Sequence, residues 1–173
     1  MKPKNKLAYV YPVFGGIGLL VIDFIVKSIA NRLLPFQTRV ETWIPFLDFF
    51  RTYNTGYHFI FGEIGNQRLW AYSGIVLVIL LIFTLYRSLI KETHDRSGFV
   101  IFSIILSLTI GATGNVLEIL FFHHATDFFI FDPFKWPSNL CDQYINAIIF
   151  IMLPIIFIKS FRDKKRRIPA STE

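Results

Sequence analysis

Four apolar runs divide the chain, at about residues 7–30, 69–86, 99–122 and 140–158. Each is close to the roughly 20 residues that carry a helix across the hydrocarbon core. The first follows Lys2, Lys4 and Lys6, as a cleavable signal would. It is too long for that, contains Asp23 and is followed by no small-residue cleavage site, so a retained helix is expected. The second run ends at Tyr86. Arg87, Lys91 and Arg96 then mark a short polar loop before the third. Between the first two runs, residues 31–68 form a different kind of segment. Pro35, Pro45 and several charges interrupt it, yet it is rich in Phe, Trp and Tyr. Such a stretch suits the headgroup level, as short strands or a surface helix. Asn54 and Gly56 can take positive φ, which predicts a turn near Tyr53–Phe59.

Composition sharpens this picture. Apolar residues make up 53% of the chain, more than a soluble domain of this size carries. The single Cys141 excludes an internal disulfide and a multi-cysteine zinc site. The net charge of +6 sits beside the apolar runs, so it reads as membrane topology and not as a nucleic-acid surface. No repeat or linker divides residues 1–173, and one polytopic membrane domain is expected. With four spans, twelve Lys and Arg flank the side that holds both termini and the 87–96 loop, against five on the other. That asymmetry puts the termini and the basic tail 159–173 in the cytoplasm, its last residues, Ile168–Glu173, unstructured.

Charges inside or beside apolar runs are the candidate chemistry. Asp23 and Lys27 are four apart on one helical face; they are either an ion pair or a substrate contact. Gly111, Gly114, Asn115 and Glu118 give the third run a small, polar face where helices can approach closely. Asp127 lies just past that run and Asp142 begins the next, with Asn139 three residues before it. Side by side, the two runs bring both aspartates to one end of the bundle. There two carboxylates can share a proton and activate water. Taken singly, Asp142 could instead be a helix-start carboxylate and Asp127 a solvated loop residue. His123 and His124 are adjacent and point apart, without the spacing of a metal site.

These residues resemble the prolipoprotein signal peptidases (signal peptidase II). Five elements carry the resemblance, in order: Asp23 with Lys27; Asn54, Gly56 and Phe59; Gly111, Gly114 and Asn115 with the acid Glu118; Thr126-Asp127-Phe128; and Asn139-Leu140-Cys141-Asp142. The chain departs from the family at Ile119, where arginine is usual, and at Ser138, Cys141 and Tyr57-His58. Both aspartates remain. The resemblance implies an all-α integral membrane protein of four transmembrane helices with a small extracytoplasmic β-cradle and a short surface helix. It implies an aspartyl endopeptidase of the bacterial inner membrane, with Asp127 and Asp142 catalytic at the extracytoplasmic face. Asp23, Lys27, Asn54, Gly56, Gly111, Asn115, Glu118 and Asn139 would bind substrate or support the pair. The substrates would be lipid-modified prolipoproteins, reached through membrane lipid, with no metal or cofactor and with a monomer as the working unit. The alternative class is a non-enzymatic membrane protein, either a binder of lipoproteins kept open by Ile119 or a small transporter; paired broken helices, which a transporter should show, are not seen.

Overall fold

The computed structural model describes residues 6–54, 67–91, 95–132 and 135–167. A 3₁₀ turn at Lys6–Tyr9 leads into helix α1 (Tyr11–Leu33), with Pro12 in its first turn, where a missing N–H costs nothing. Strands β1 (Arg39–Glu41) and β2 (Leu47–Asn54) follow, then α2 (Gln67–Lys91) and α3 (Arg96–Phe122). Strands β3 (Ala125–Phe131) and β4 (Pro137–Ser138) lead into α4 (Leu140–Ala147), a π-helical turn (Ile148–Met152) and α5 (Leu153–Arg167). The π turn lies just before Pro154, which has no N–H to donate and whose ring crowds the carbonyl four residues back.

Among the described residues, four helical stretches are long and apolar enough to cross a membrane: Leu7–Leu33, Tyr72–Lys91, Arg96–Phe122 and Leu140–Lys164. They project Phe14, Val21, Val76, Phe83, Ile104 and Phe157 outward, a surface that suits hydrocarbon and not water. Helices extend further than the apolar runs do. Arg87 and Lys91 belong to α2 and Arg96 opens α3, so the polar loop expected there is shorter than its charges suggested. Asp95 caps α3 by accepting from the N–H groups of Ser97 and Gly98, and pairs with Lys159 of α5 at 2.5 Å. That pairing links the start of α3 to α5.

α3 is the central helix, packed on α1, α2 and α4. A Cβ on Gly16 would stand 2.5 Å from Ile110 Cβ, and one on Gly111 would stand 2.8 Å from Leu19 Cβ. Close approach of α1 to α3 therefore depends on small residues, as membrane helices commonly do. Ser107 adds a hydrogen bond of 2.7 Å to the Pro12 carbonyl.

The strands form one antiparallel sheet in the order β1-β2-β3-β4. The segment around Val40–Phe50 thus holds two strand pieces, β1 and the start of β2, joined by a turn, and among the described residues of 31–68 no surface helix occurs. Asn54 ends β2 and is not in a turn; Gly56, Tyr57, His58 and Phe59 lie outside the described residues, as does the tail from Ile168. Phe49 pairs Phe129 and Thr52 pairs Asp127, so β2 carries one extra residue between these pairs. This bulge sits beside the candidate site, where bulges commonly re-aim side chains.

Candidate active site

Three elements end at the same place. α3 terminates at His123, whose φ of 65° puts it in the left-handed region while its N–H bonds to Ile119 O. The reversal sends the chain into β3, which carries Asp127 inside the protein at 2% exposure. β4 then delivers Asn139, which begins α4.

Asn139 joins the two aspartates. It is the N-cap of α4: its Oδ1 accepts from Asp142 N at 3.2 Å, and Asp142 Oδ2 accepts from Asn139 N at 3.0 Å. This reciprocal arrangement is a capping box, with an acid three residues after the cap. The other end of the Asn139 amide, Nδ2, donates to Asp127 Oδ1 at 2.5 Å. Asn54 Nδ2 donates to Asp127 Oδ2 at 3.1 Å. Thr52 faces Asp127 across the ladder, so Asn54, two residues on, is its diagonal neighbour on the same face of the sheet. Asn115 Nδ2 donates to Asp142 Oδ1 at 2.9 Å.

Behind the pair lies a buried charge cluster. Asp23, Lys27 and Asn31 recur every four residues along one face of α1. Lys27 Nζ is 2.9 Å from Asp23 Oδ2, 2.8 Å from Glu118 Oε2 and 2.6 Å from Asn115 Oδ1. Of the two readings of Asp23 and Lys27, the ion pair is present. Asp23 also accepts from Cys141 N at 3.3 Å. Gly114 makes room for this, since a Cβ there would meet Cys141 Sγ at 2.7 Å and Asp23 Oδ2 at 2.8 Å. Gly111 lies where α1, α3 and α4 meet, and its carbonyl accepts from Cys141 Sγ.

Asp127 and Asp142 differ in their access to the outside. Asp142 is half-buried, whereas Asp127 is enclosed. Burial first, and the nearby Asp142 charge second, push Asp127 up to about 7, against the opposing hydrogen bonds from Asn54 and Asn139. A carboxyl with that affinity can hold a proton at neutral pH, as an acid catalyst must.

The sequence pattern of the signal peptidase II family matches residues 16–158. This chain belongs to that family. Within it, the lipoprotein signal peptidase of Mesorhizobium japonicum is 32% identical over 138 residues, 76% of each chain. That of Coxiella burnetii strain RSA 493 is 31% identical over 159 residues, 87% of this chain and 91% of the other. A bacterial membrane enzyme solved by the in meso method at 2.3 Å superposes with a TM-score of 0.70 over 100% of this chain and 99% of its own, at 16% identity. A second, solved at 1.9 Å, gives 0.68 over 86% and 93%. At that identity these structures bear on the fold: four spanning helices and a small sheet. Membership of the family makes the chain a protease and a multi-pass membrane protein.

Eight of the residues singled out from sequence converge on one network: Asp23, Lys27, Asn54, Asn115, Glu118, Asp127, Asn139 and Asp142. Gly111 contributes space, and Gly56 is outside the described residues. Ile119 is a half-buried residue of α3. Two members were missed. Thr126 Oγ1 donates to Glu118 Oε1 at 2.6 Å and accepts from Asn31 Nδ2 at 3.3 Å. Asn31 was legible as the third polar residue in the 23, 27, 31 series. A hydroxyl in an apolar strand gave no comparable signal. His123 and His124 have other uses, since His123 ends α3 and His124 stacks on Tyr53 at 4.0 Å.

Proposed function

We propose that this signal peptidase works as an aspartic endopeptidase, with Asp127 and Asp142 as its catalytic pair. The observation that carries the reading is the Asn139 bridge, which fixes two carboxylates from different elements against one another. Asp127 starts as the acid and hydrogen-bonds the scissile carbonyl. Asp142, on the more open side, takes a proton from the attacking water. As the tetrahedral intermediate collapses, the proton gained by Asp142 passes to the leaving amine and the pair returns to its starting state. The two titrate as a coupled pair. Asn54, Asn115 and Asn139 hold the carboxylates in place through their amides.

As a member of its family, the protein removes signal peptides from prolipoproteins. On our reading it cuts just before the lipidated cysteine, and the substrate enters sideways from the bilayer. The sheet and the pair lie at the extracytoplasmic face and both termini in the cytoplasm, a placement supported by the Lys and Arg asymmetry. The test is incubation of the purified protein with a lipidated prolipoprotein and its unlipidated form. Cleavage of the lipidated form alone, with the new N-terminus at cysteine by mass spectrometry, is expected. Equal cleavage of both would overturn the substrate assignment.

A further inference from the structure

Thr126 stands next to Asp127 but does a different job. Successive strand residues face opposite ways, so Thr126 leaves the aspartate pair behind it and meets α1 and α3. It is fully buried. Its hydroxyl donates to Glu118 Oε1 at 2.6 Å and accepts from Asn31 Nδ2. From Glu118 the contacts continue unbroken: Glu118 Oε2 to Lys27 Nζ at 2.8 Å, Lys27 to Asn115 Oδ1 at 2.6 Å, and Asn115 Nδ2 to Asp142 Oδ1 at 2.9 Å. One end of this chain is the backbone neighbour of Asp127, and the other is Asp142 itself.

We propose that Thr126 is a positioning residue for cleavage: its hydroxyl anchors β3 to the lysine cluster and so sets where Asp127 stands relative to Asp142. The effect on rate rests on the aspartic reading above. Without the hydroxyl, Glu118 Oε1 is left buried and lacking its donor. A buried oxygen without a partner is costly, so the carboxylate turns toward Lys27 or Asn31. Turning toward Lys27 draws the ammonium away from Asn115, and Asn115 then loosens its hold on Asp142. The opposite face of β3 loses its anchor at the same moment. Both aspartates shift, although neither has been altered.

Valine matches threonine in shape and lacks only the hydroxyl. In Thr126→Val, kcat for a lipidated prolipoprotein should fall about 10-fold or more with KM nearly unchanged, since small misplacements of reacting groups can cost as much as 10²-fold. Thr126→Ser keeps the hydroxyl and should return most of the rate. A purely structural hydroxyl would change melting temperature without this split and without rescue by serine. Thr126→Val/Glu118→Gln should be no slower than the slower single variant, because both break the same link. Wild-type kcat in Thr126→Val, or serine as slow as valine, would overturn the proposal. If Thr126→Val does not fold, Asn31→Ala, which removes the group orienting the hydroxyl, is read by the same kcat and KM split. Asp127→Asn is run alongside: if it cleaves, the aspartic reading has failed, whereas the valine and serine comparison still reports on Thr126.

Discussion

Asn139 donates to Asp127 from one end of its amide and caps the helix of Asp142 with the other. Two separable functions therefore meet in one side chain. Asn139→Ser keeps a good N-cap but has no amide to offer Asp127. It should melt near the wild-type temperature and cleave much more slowly. Asn139→Ala should lose both, with a further stability cost of about 0.5–2 kcal/mol for the missing cap. Thermal melts in detergent beside cleavage rates check this; wild-type cleavage by Asn139→Ser would remove the bridge from the mechanism.

Lys27 serves two buried carboxylates, Asp23 and Glu118. Lys27→Met should be severely destabilising, by about 3–5 kcal/mol, because it strands both. Removing only Asp23 and Lys27 together still strands Glu118. The triple variant Asp23→Leu/Lys27→Met/Glu118→Gln should therefore be more stable than Lys27→Met alone. If Lys27→Met melts like the wild type, the cluster is not the anchor described above.

Gly114 and Gly16 separate packing from chemistry. A methyl at Gly114 collides with Cys141 and Asp23 beside the site, and one at Gly16 collides with Ile110 some two turns away. Both alanine variants should lose about 1–3 kcal/mol or more, the usual cost of overpacking. Only Gly114→Ala should also lower the cleavage rate of the folded protein. Equal specific activity in the two variants would show that the α1–α3–α4 junction does not control the pair.

Asp127 gives a pH signature. Its native affinity for protons, near 7, lies above the unfolded value of about 3.9. The protonated form therefore favours folding below about pH 4, and that contribution is lost as pH rises through 7. Asp127→Asn should flatten the fall in melting temperature over this window and be the more stable protein at pH 8. Wild-type cleavage should decline above about pH 7, as the pair loses its shared proton. Parallel melting curves for wild type and Asp127→Asn from pH 4 to 8 would contradict this.

The spanning helices were legible because membranes demand long apolar runs, and each carboxylate stood out against them. The carboxylates could be grouped from sequence because Asp23 with Lys27, and Asn115 with Glu118, share helical faces. Asn139 and Asp142 share a helix start. The sheet was harder to see. Whether residues 40–50 became strand or surface helix depended on pairing between β2 and β3, separated by some seventy positions, which local periodicity does not encode. The bulge before Thr52 and the role of Thr126 follow from that register. Neither can be read from a strand considered alone.

The aspartate pair is tested most directly by cleavage of one lipidated prolipoprotein by Asp127→Asn, Asp142→Asn and Glu118→Gln. Asparagine keeps the size of each side chain but cannot take or share the proton, a loss worth about 10²–10⁴-fold. Each aspartate variant should be folded and inactive, the double variant no worse than either, and Glu118→Gln measurably active. Normal cleavage by Asp127→Asn with a dead Glu118→Gln would move the chemistry to Glu118 and Asp142. Normal cleavage by all three would contradict the aspartic mechanism outright.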